Sequence, residues 1–222
     1  MGGAALQPSG SKLPRHECLT GLGMFGDAGQ PFYPNAFMNS LRENNRKRLI
    51  RLIEQIPADE NPEGWTHVAS IAVGGLLSVG FSQKGPYLLV VSSSGRGVVH
   101  CDTGEKIERD YEEYAGLSEL GLHCQGIGVI ADEVIPLCGI QGGGLPTGNI
   151  AGEGLELVSP DWPESSLILS KPFKNALIEG HQADCTVIYR DHVRAFGFSW
   201  CGNYIVAACG SDLDLWSRTS KL

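Results

Sequence analysis

The sequence contains no stretch that approaches the roughly 18 to 20 continuous apolar residues that a membrane-spanning helix needs. Residues 1–37 also lack the basic start and apolar core that mark a secretory signal peptide. The seven cysteines are odd in number and irregularly spaced, which is typical of buried small apolar residues rather than of a disulfide framework. Together these absences predict a cytoplasmic protein.

Spacings that would indicate a metal or catalytic site are missing as well. No two cysteines have C-x-x-C spacing and no two histidines have H-x-x-x-H spacing. His123 and Cys124 are adjacent, so on a strand they point to opposite faces and offer one ligand at most. The Asp102-Thr103-Gly104 sequence resembles that of aspartic proteases, but it occurs once, and those enzymes need two carboxylates. We therefore predict a turn at that point and no metal, cofactor or catalytic residue.

The net charge of −8 is unevenly distributed along the chain. Residues 1–56 hold seven Lys and Arg against four Asp and Glu, whereas residues 57–222 hold ten against twenty-one. Nucleic-acid binding needs a basic face, so the acidic body argues against nucleic acid as its partner. A solvated acidic surface explains the charge without any partner, and it also suits a basic protein partner.

The composition predicts three regions. Residues 1–37 carry Gly, Pro and Ser without periodicity and are expected to be poorly ordered. Residues 38–64 are expected to form a basic amphipathic helix and a linker, and residues 65–222 a β-rich domain. Met38, which stands just before the predicted helix, is either the true start of the protein or an ordinary internal methionine.

The helix is predicted from apolar residues that recur at helical spacing between Leu41 and Ile56. Asn39 or Ser40 is the expected N-cap, and Pro57 ends the apolar run. The opposite face is rich in arginine and lysine. We expect the apolar stripe to pack on the acidic body and the basic side to face water.

The body reads as a series of short strands. Four apolar runs between Trp65 and Asp102, separated by glycine-containing turns, predict an antiparallel meander. Residues 106–119 are expected to form a strand followed by a short helix, and further strands are expected between Leu155 and Arg218. The fold class is therefore mainly β, an antiparallel sheet domain with one N-terminal amphipathic helix.

One segment of the body is repeated. Residues 80–93 (GFSQKGPYLLVVSS) recur 117 positions later as residues 197–210 (GFSWCGNYIVAACG), and both copies predict a β-hairpin. The Gly-Phe-Ser ends, the apolar strands and the turn at residues 102–105 resemble parts of WD-repeat or related β-propeller blades. The separation equals three spacings of 39, close to the ~40–45 residues of such blades. The resemblance implies a propeller-like, non-catalytic protein-binding scaffold. A sandwich with two similar hairpins is the alternative.

Two segments of the body are candidates for contact with a partner. Six carboxylates lie within residues 102–113, a cluster that could attract a basic protein. Residues 139–154 contain seven glycines and form a long loop of the kind that often carries function. The predicted partner-binding residues are Glu108, Asp110, Glu112, Glu113, Gly142, Gly143, Gly144 and Leu145.

Three functional hypotheses follow from these features. The first is a non-enzymatic binding module with an acidic face, for example an immunity-type inhibitor of a basic toxin. The second is a small hydrolase whose site lies beside the glycine-rich loop and uses His123 or Cys124. The third is a propeller-like scaffold subunit within a larger assembly. The absence of a catalytic constellation favours the first.

Overall fold

A computed structural model describes residues 35–220, with side chains from Met38 onward. Residues 1–34 of the predicted poorly ordered extension lie outside the described residues. The helix α1 begins at Asn35 and runs to Glu54. It therefore begins before the predicted N-caps Asn39 and Ser40, which lie inside it, and this expectation is corrected.

Fifteen strands follow the helix in the described residues. They are β1 (Trp65–Ala72), β2 (Leu76–Phe81), β3 (Tyr87–Ser92), β4 (Gly95–His100), β5 (Lys106–Asp110), β6 (His123–Gln125), β7 (Val134–Pro136), β8 (Cys138–Gly139), β9 (Gly142–Gly143), β10 (Gly154–Val158), β11 (Ser165–Ser170), β12 (Cys185–Asp191), β13 (Ala195–Phe198), β14 (Tyr204–Ala208) and β15 (Asp212–Arg218). All the ladders between them are antiparallel. The predicted mainly β fold class with one N-terminal helix is confirmed. Residues 111–119 form turns rather than the predicted short helix.

The strands form four sheets. The first has the order β5-β4-β3-β2-β8-β9, the second β1-β15-β14-β13 and the third β10-β11-β12, while β6 and β7 form a separate pair. The predicted meander from β1 to β4 is wrong for β1, which pairs with the last strand. The chain between β1 and β2 is bound to the turn before β15, because Val73 N donates to Ser211 O and Leu76 N donates to Gly210 O.

The sequence repeat corresponds to two sheets with the same register. Phe81 pairs with Leu88 in the first sheet, and Phe198 pairs with Ile205 in the second. The equivalence extends past the repeat, because the β3–β4 and β14–β15 ladders also match when 117 is added to each residue number. Strand β1 occupies in the second sheet the place that β5 has in the first, and both ladders carry a bulge at the same position. Four-stranded antiparallel sheets of this kind are a feature of β-propeller blades.

The hydrophobic core consists of layers between these sheets. One cluster lies between the first and second sheets and includes Phe81, Val90 and Leu215. Others join the second sheet to the third, and the first sheet to the β6–β7 pair. The outer face of the third sheet is covered by Ile53 of α1 and by Ile56, which follows the helix. The layers therefore run from the β6–β7 pair through three sheets to the helix.

The helix is attached by its basic side as well as by its apolar stripe. Arg46 donates to Pro160 O and to the Asp161 carboxylate, Arg48 donates to Leu177 O, and Arg51 pairs with Glu179 at 2.6 Å. The apolar packing on the body is as expected. The basic side differs from the expectation, since three of its arginines contact the body instead of facing only water.

Candidate binding site at the beta5 edge

A cavity lies on one face of the first sheet, beside strand β5. It is a groove of about 580 Å³, between β3, β4 and β5 on one side and the end of β1 on the other. Its walls are formed by Ala72, Val73, Gly74, Val90, Ser92, Ser94, Gly97, Val98, Val99, Lys106, Ile107, Glu108, Arg109 and Tyr111. Its volume lies within the range of small-molecule sites in proteins, about 300 to 1,000 Å³.

Strand β5 segregates its charged side chains to two faces. A bulge between the β4 residues Val98 and Val99 shifts the register, so Lys106 lies opposite Val99 and Arg109 opposite Gly97. Both cationic side chains are exposed beside the groove: Lys106 Nζ donates to Ala72 O at 2.8 Å and Arg109 Nη2 donates to Ser94 O at 2.7 Å. The groove face of β5 is therefore basic, although the segment as a whole is acidic.

The acidic residues Glu108 and Asp110 lie on the other face of β5. The side chain of Glu108 lies against Gly128, where a Cβ would come within 2.4 Å of its carboxylate Oε1. Asp110 accepts a 3.1 Å bond from Arg96 and a backbone bond from Glu112 N. The bond from Glu112 N, and to a lesser extent Arg96, hold the pKa of the Asp110 carboxyl below its usual value. Both predicted residues thus have contacts within the protein.

The chain after β5 forms an exposed turn, Tyr111–Glu112–Glu113–Tyr114, which we call the acidic turn. The side chains of Tyr111 and Tyr114 are 78% and 59% exposed, and both glutamates are exposed. Tyr114 has a φ of 59°, which is uncommon for a residue other than glycine. The guanidinium of Arg109 lies 5.0 Å from the centre of the Tyr111 ring. The acidic turn joins two predicted site residues to two tyrosines.

The glycine-rich loop lies elsewhere on the molecule. Gly142 and Gly143 form strand β9, which is exposed at the edge of the first sheet opposite to β5, and Gly144 follows it. Four strands separate the two edges, which corresponds to about 24 Å of sheet. The side chain of Leu145, a predicted partner-binding residue, is buried in the core between the first two sheets and anchors the loop there. The structure therefore does not bring the loop glycines together with the predicted acidic residues.

The residues of the predicted hydrolase have unsuitable surroundings for a nucleophile and base. Cys124 is buried, and burial raises the pKa of its thiol, whereas a nucleophilic cysteine needs a lowered pKa. His123 is exposed and is adjacent on strand β6, so its side chain points to the other face. The two side chains are thus not placed to form a nucleophile–base pair.

Asp214 brings together a second group of polar residues on the second sheet. His67 Nε2 lies 2.8 Å from Asp214 Oδ1, and the hydroxyl of Ser70 donates to the same oxygen. The carboxylate, not the imidazole, is therefore the central member. In a catalytic triad the histidine stands between the serine and the carboxylate and removes the serine proton. This arrangement holds a carboxylate in place but does not activate Ser70.

Comparison with known proteins adds no family to this description. No protein-family model matches the chain, and no curated protein matches it. Within residues 35–220, no group of three or more His, Cys, Asp or Glu side chains is placed to hold a metal ion. In the same part of the chain, no helix is long and apolar enough to cross a membrane.

The sequence indicates Glu112 and Glu113 as candidate site residues but does not indicate the part played by the residues around them. Tyr111 and Tyr114 are visible in the sequence as a symmetric Tyr-Glu-Glu-Tyr segment directly after a predicted strand. Lys106 and Arg109 give no such signal, since in the sequence they stand among six carboxylates. Their common position in the groove depends on the β5 bulge, which periodicity in the sequence does not reveal.

Proposed function

We propose that the protein is a non-enzymatic protein-binding module that holds a basic segment of its partner at the acidic turn. The observation that carries this proposal is the exposure of Tyr111 and Tyr114 on either side of two exposed glutamates. Tyrosine is enriched in the energetically dominant parts of protein interfaces, because it offers a large ring and a polar hydroxyl. A partner segment with Lys or Arg beside an apolar side chain would match this turn.

The charge of the acidic turn supports a basic partner. Among residues 35–220, no cationic group lies within 4 Å of the carboxylate of Glu112 or Glu113. Their charges are therefore available to a partner, whereas that of Asp110 is compensated by Arg96. The acidic balance of residues 57–222 adds a longer-range attraction that accelerates association with a basic protein.

An inhibitor of a basic enzyme, such as an immunity-type protein, is one concrete form of this module. It needs a rigid surface that is complementary in charge to its target, and the acidic turn follows directly from a strand of a six-stranded sheet. The glycine-rich loop lies at the opposite sheet edge and is not part of the proposed surface. A hydrolase is less well supported, since Cys124 is buried and His123 points away from it.

The proposal is tested with a defined basic peptide. A fluorescent nonapeptide that contains four arginines and two leucines would be titrated against the protein, with a peptide carrying glutamate in place of arginine as the charge control. We expect saturable binding of the basic peptide only, weakened several-fold between 0.05 M and 0.3 M salt because exposed charges are screened. The E112Q/E113Q and Y111A/Y114A variants should each weaken binding by roughly tenfold.

A matched variant separates the acidic turn from the overall charge. The E54Q/E164Q variant removes the same charge from exposed residues that line the cleft between α1 and the third sheet. We expect it to bind the basic peptide within about twofold of the wild type. Equal weakening by E54Q/E164Q and E112Q/E113Q would show non-specific attraction and contradict the proposal. Absence of binding at low salt would contradict it as well.

A further inference from the structure

We propose that the groove beside β5 binds a small organic anion, with its carboxylate or phosphate between Lys106 and Arg109 and its apolar part along the valines. This inference does not depend on the proposed protein-binding function, because it concerns a ligand of the opposite charge. The two sites are neighbours, since Tyr111 of the acidic turn also forms part of the groove wall. It rests on a comparison of the groove with the equivalent position of the second sheet.

The two sheets contain equivalent positions in their outer strands. Lys106 and Arg109 of β5 pair with Val99 and Gly97, and the equivalent pairs in the second sheet are His67 with Trp216 and Ser70 with Asp214. The residue numbers of β5 and β1 differ by 39, and those of β4 and β15 by 117. Lys106, Gly97 and Arg109 therefore correspond to His67, Asp214 and Ser70.

In the second sheet these positions hold a carboxylate. Asp214 Oδ1 lies 2.8 Å from His67 Nε2 and also accepts a hydrogen bond from the hydroxyl of Ser70. The Asp214 side chain is only 14% exposed, and its carboxylate occupies the position between His67 and Ser70. The fold thus provides, at this position, two outer-strand donors that enclose a carboxylate.

In the first sheet the donors are present and the carboxylate is missing. Gly97 stands in place of Asp214 and has no side chain, while Lys106 and Arg109 carry full positive charges in place of His67 and Ser70. Among residues 35–220, the side-chain hydrogen bonds of Lys106 and Arg109 go only to the backbone carbonyls of Ala72 and Ser94. No carboxylate in that part of the chain lies within 4 Å of either cation.

The remaining walls of the groove indicate the size and the apolar character of the rest of the ligand. The groove volume of about 580 Å³ exceeds what a single anionic group needs, and Val73, Val90 and Val99 line it. Gly74 leaves the end near β1 open, since a Cβ there would meet no atom within 4 Å. Arginine has five N–H donors, and only one bond uses them here, so a planar carboxylate or a phosphate can accept a bidentate pair from Arg109. An aliphatic or aromatic chain with one terminal anionic group would contact the valines with its apolar part and the two cationic side chains with its charge.

The test uses three probes with the same chain: octanoate, octyl phosphate and octylammonium. Binding to the full chain would be measured by calorimetry and by chemical-shift changes of the Gly97 and Arg109 amides. We expect saturable binding of at least one anion and none of octylammonium. K106Q and R109Q should each lower the affinity for the anion by about tenfold or more. This is the range expected when a hydrogen bond to a charged group is lost. K47Q, which removes an exposed lysine of α1, should leave the affinity unchanged.

The decisive variant replaces the missing carboxylate. G97D introduces the side chain that Asp214 supplies in the second sheet, and we expect it to abolish anion binding while the protein stays folded. G97A, which adds only a Cβ, should retain binding within about threefold, and thermal unfolding of each variant verifies the fold. If neither anion binds, if octylammonium binds equally well, or if G97D and the wild type bind alike, the proposal is wrong.

Discussion

At the scale of the residue, the structure explains the glycine that opens both copies of the repeat. A Cβ on Gly80 would lie 2.3 Å from Pro136 O, and a Cβ on Gly197 would lie 2.3 Å from Leu145 Cβ. In each sheet another segment therefore crosses the strand directly over the glycine. Gly197 also has a φ of 152°, a conformation that residues with a Cβ rarely adopt. The repeated glycine is required because a side chain would separate these packed segments.

The first prediction at this scale concerns Gly197. G197A should lower the free energy of unfolding by about 2 to 3 kcal/mol, because the new methyl group would overpack the contact with Leu145. The measurement is chemical denaturation followed by tryptophan fluorescence. G74A is the matched control, since its Cβ meets nothing within 4 Å, and it should change stability by less than about 0.5 kcal/mol. A G197A protein as stable as G74A would contradict this account of the repeat.

At the scale of the element, α1 is an example of partial predictability. Helical spacing identified the helix, its buried residues Leu52 and Ile53, and the buried Ile56 just after its end, because an amphipathic stripe reports the face that packs. The predicted start of the helix was wrong, since the helix begins at Asn35. Asn39 and Ser40, which are good N-caps in isolation, lie inside it. The expectation for the basic face also failed in part. Whether an arginine contacts water or a carbonyl of the body depends on which distant residues lie beside the helix. The spacing of residues within the helix cannot show this.

A prediction at this scale compares two apolar positions of α1. I53A should lower the free energy of unfolding by about 2 to 4 kcal/mol, because Ile53 is buried against the third sheet and its truncation leaves a cavity. L41A should change it by less than about 0.5 kcal/mol, since Leu41 is 47% exposed. Urea midpoints of both variants would be compared with the wild type. Equal, small effects would show that α1 is not packed on the body in solution.

At the scale of the whole molecule, the first and last strands of the described residues are joined in one sheet. Strand β1 pairs with β15 over seven residue pairs, although about 140 residues separate them in sequence. The same place in the first sheet is taken by β5, which follows β4 after a short turn. Strand β5, which is near β4 in sequence, and strand β1, which is far from β15, thus form equivalent edges of the two sheets. The ladder ties the first described strand to the last, so fraying of either strand breaks hydrogen bonds of the other.

Hydrogen exchange tests the pairing of β1 with β15. Backbone amides in the centre of β15, such as those of Leu213 and Leu215, should be protected as strongly as those in the centre of β3, because both strands are paired on two sides. Amides of the two-residue strand β9, at a sheet edge, should exchange much faster and serve as the internal comparison. Exchange of β15 as fast as that of β9 would show that the terminal strand is not stably paired with β1.

The sequence by itself determined the secondary-structure class, the hairpins of the repeat and the buried face of the helix. These features depend on alternation, helical spacing and turn residues, which are local properties of the chain. It also located the acidic segment that contains Glu112 and Glu113. Only the tertiary structure decided that β1 pairs with β15, that the loop glycines lie far from the acidic turn, and that Lys106 and Arg109 share a groove. Strand order, a bulge and the approach of distant segments decide such placements, since they depend on contacts between residues that are remote in sequence.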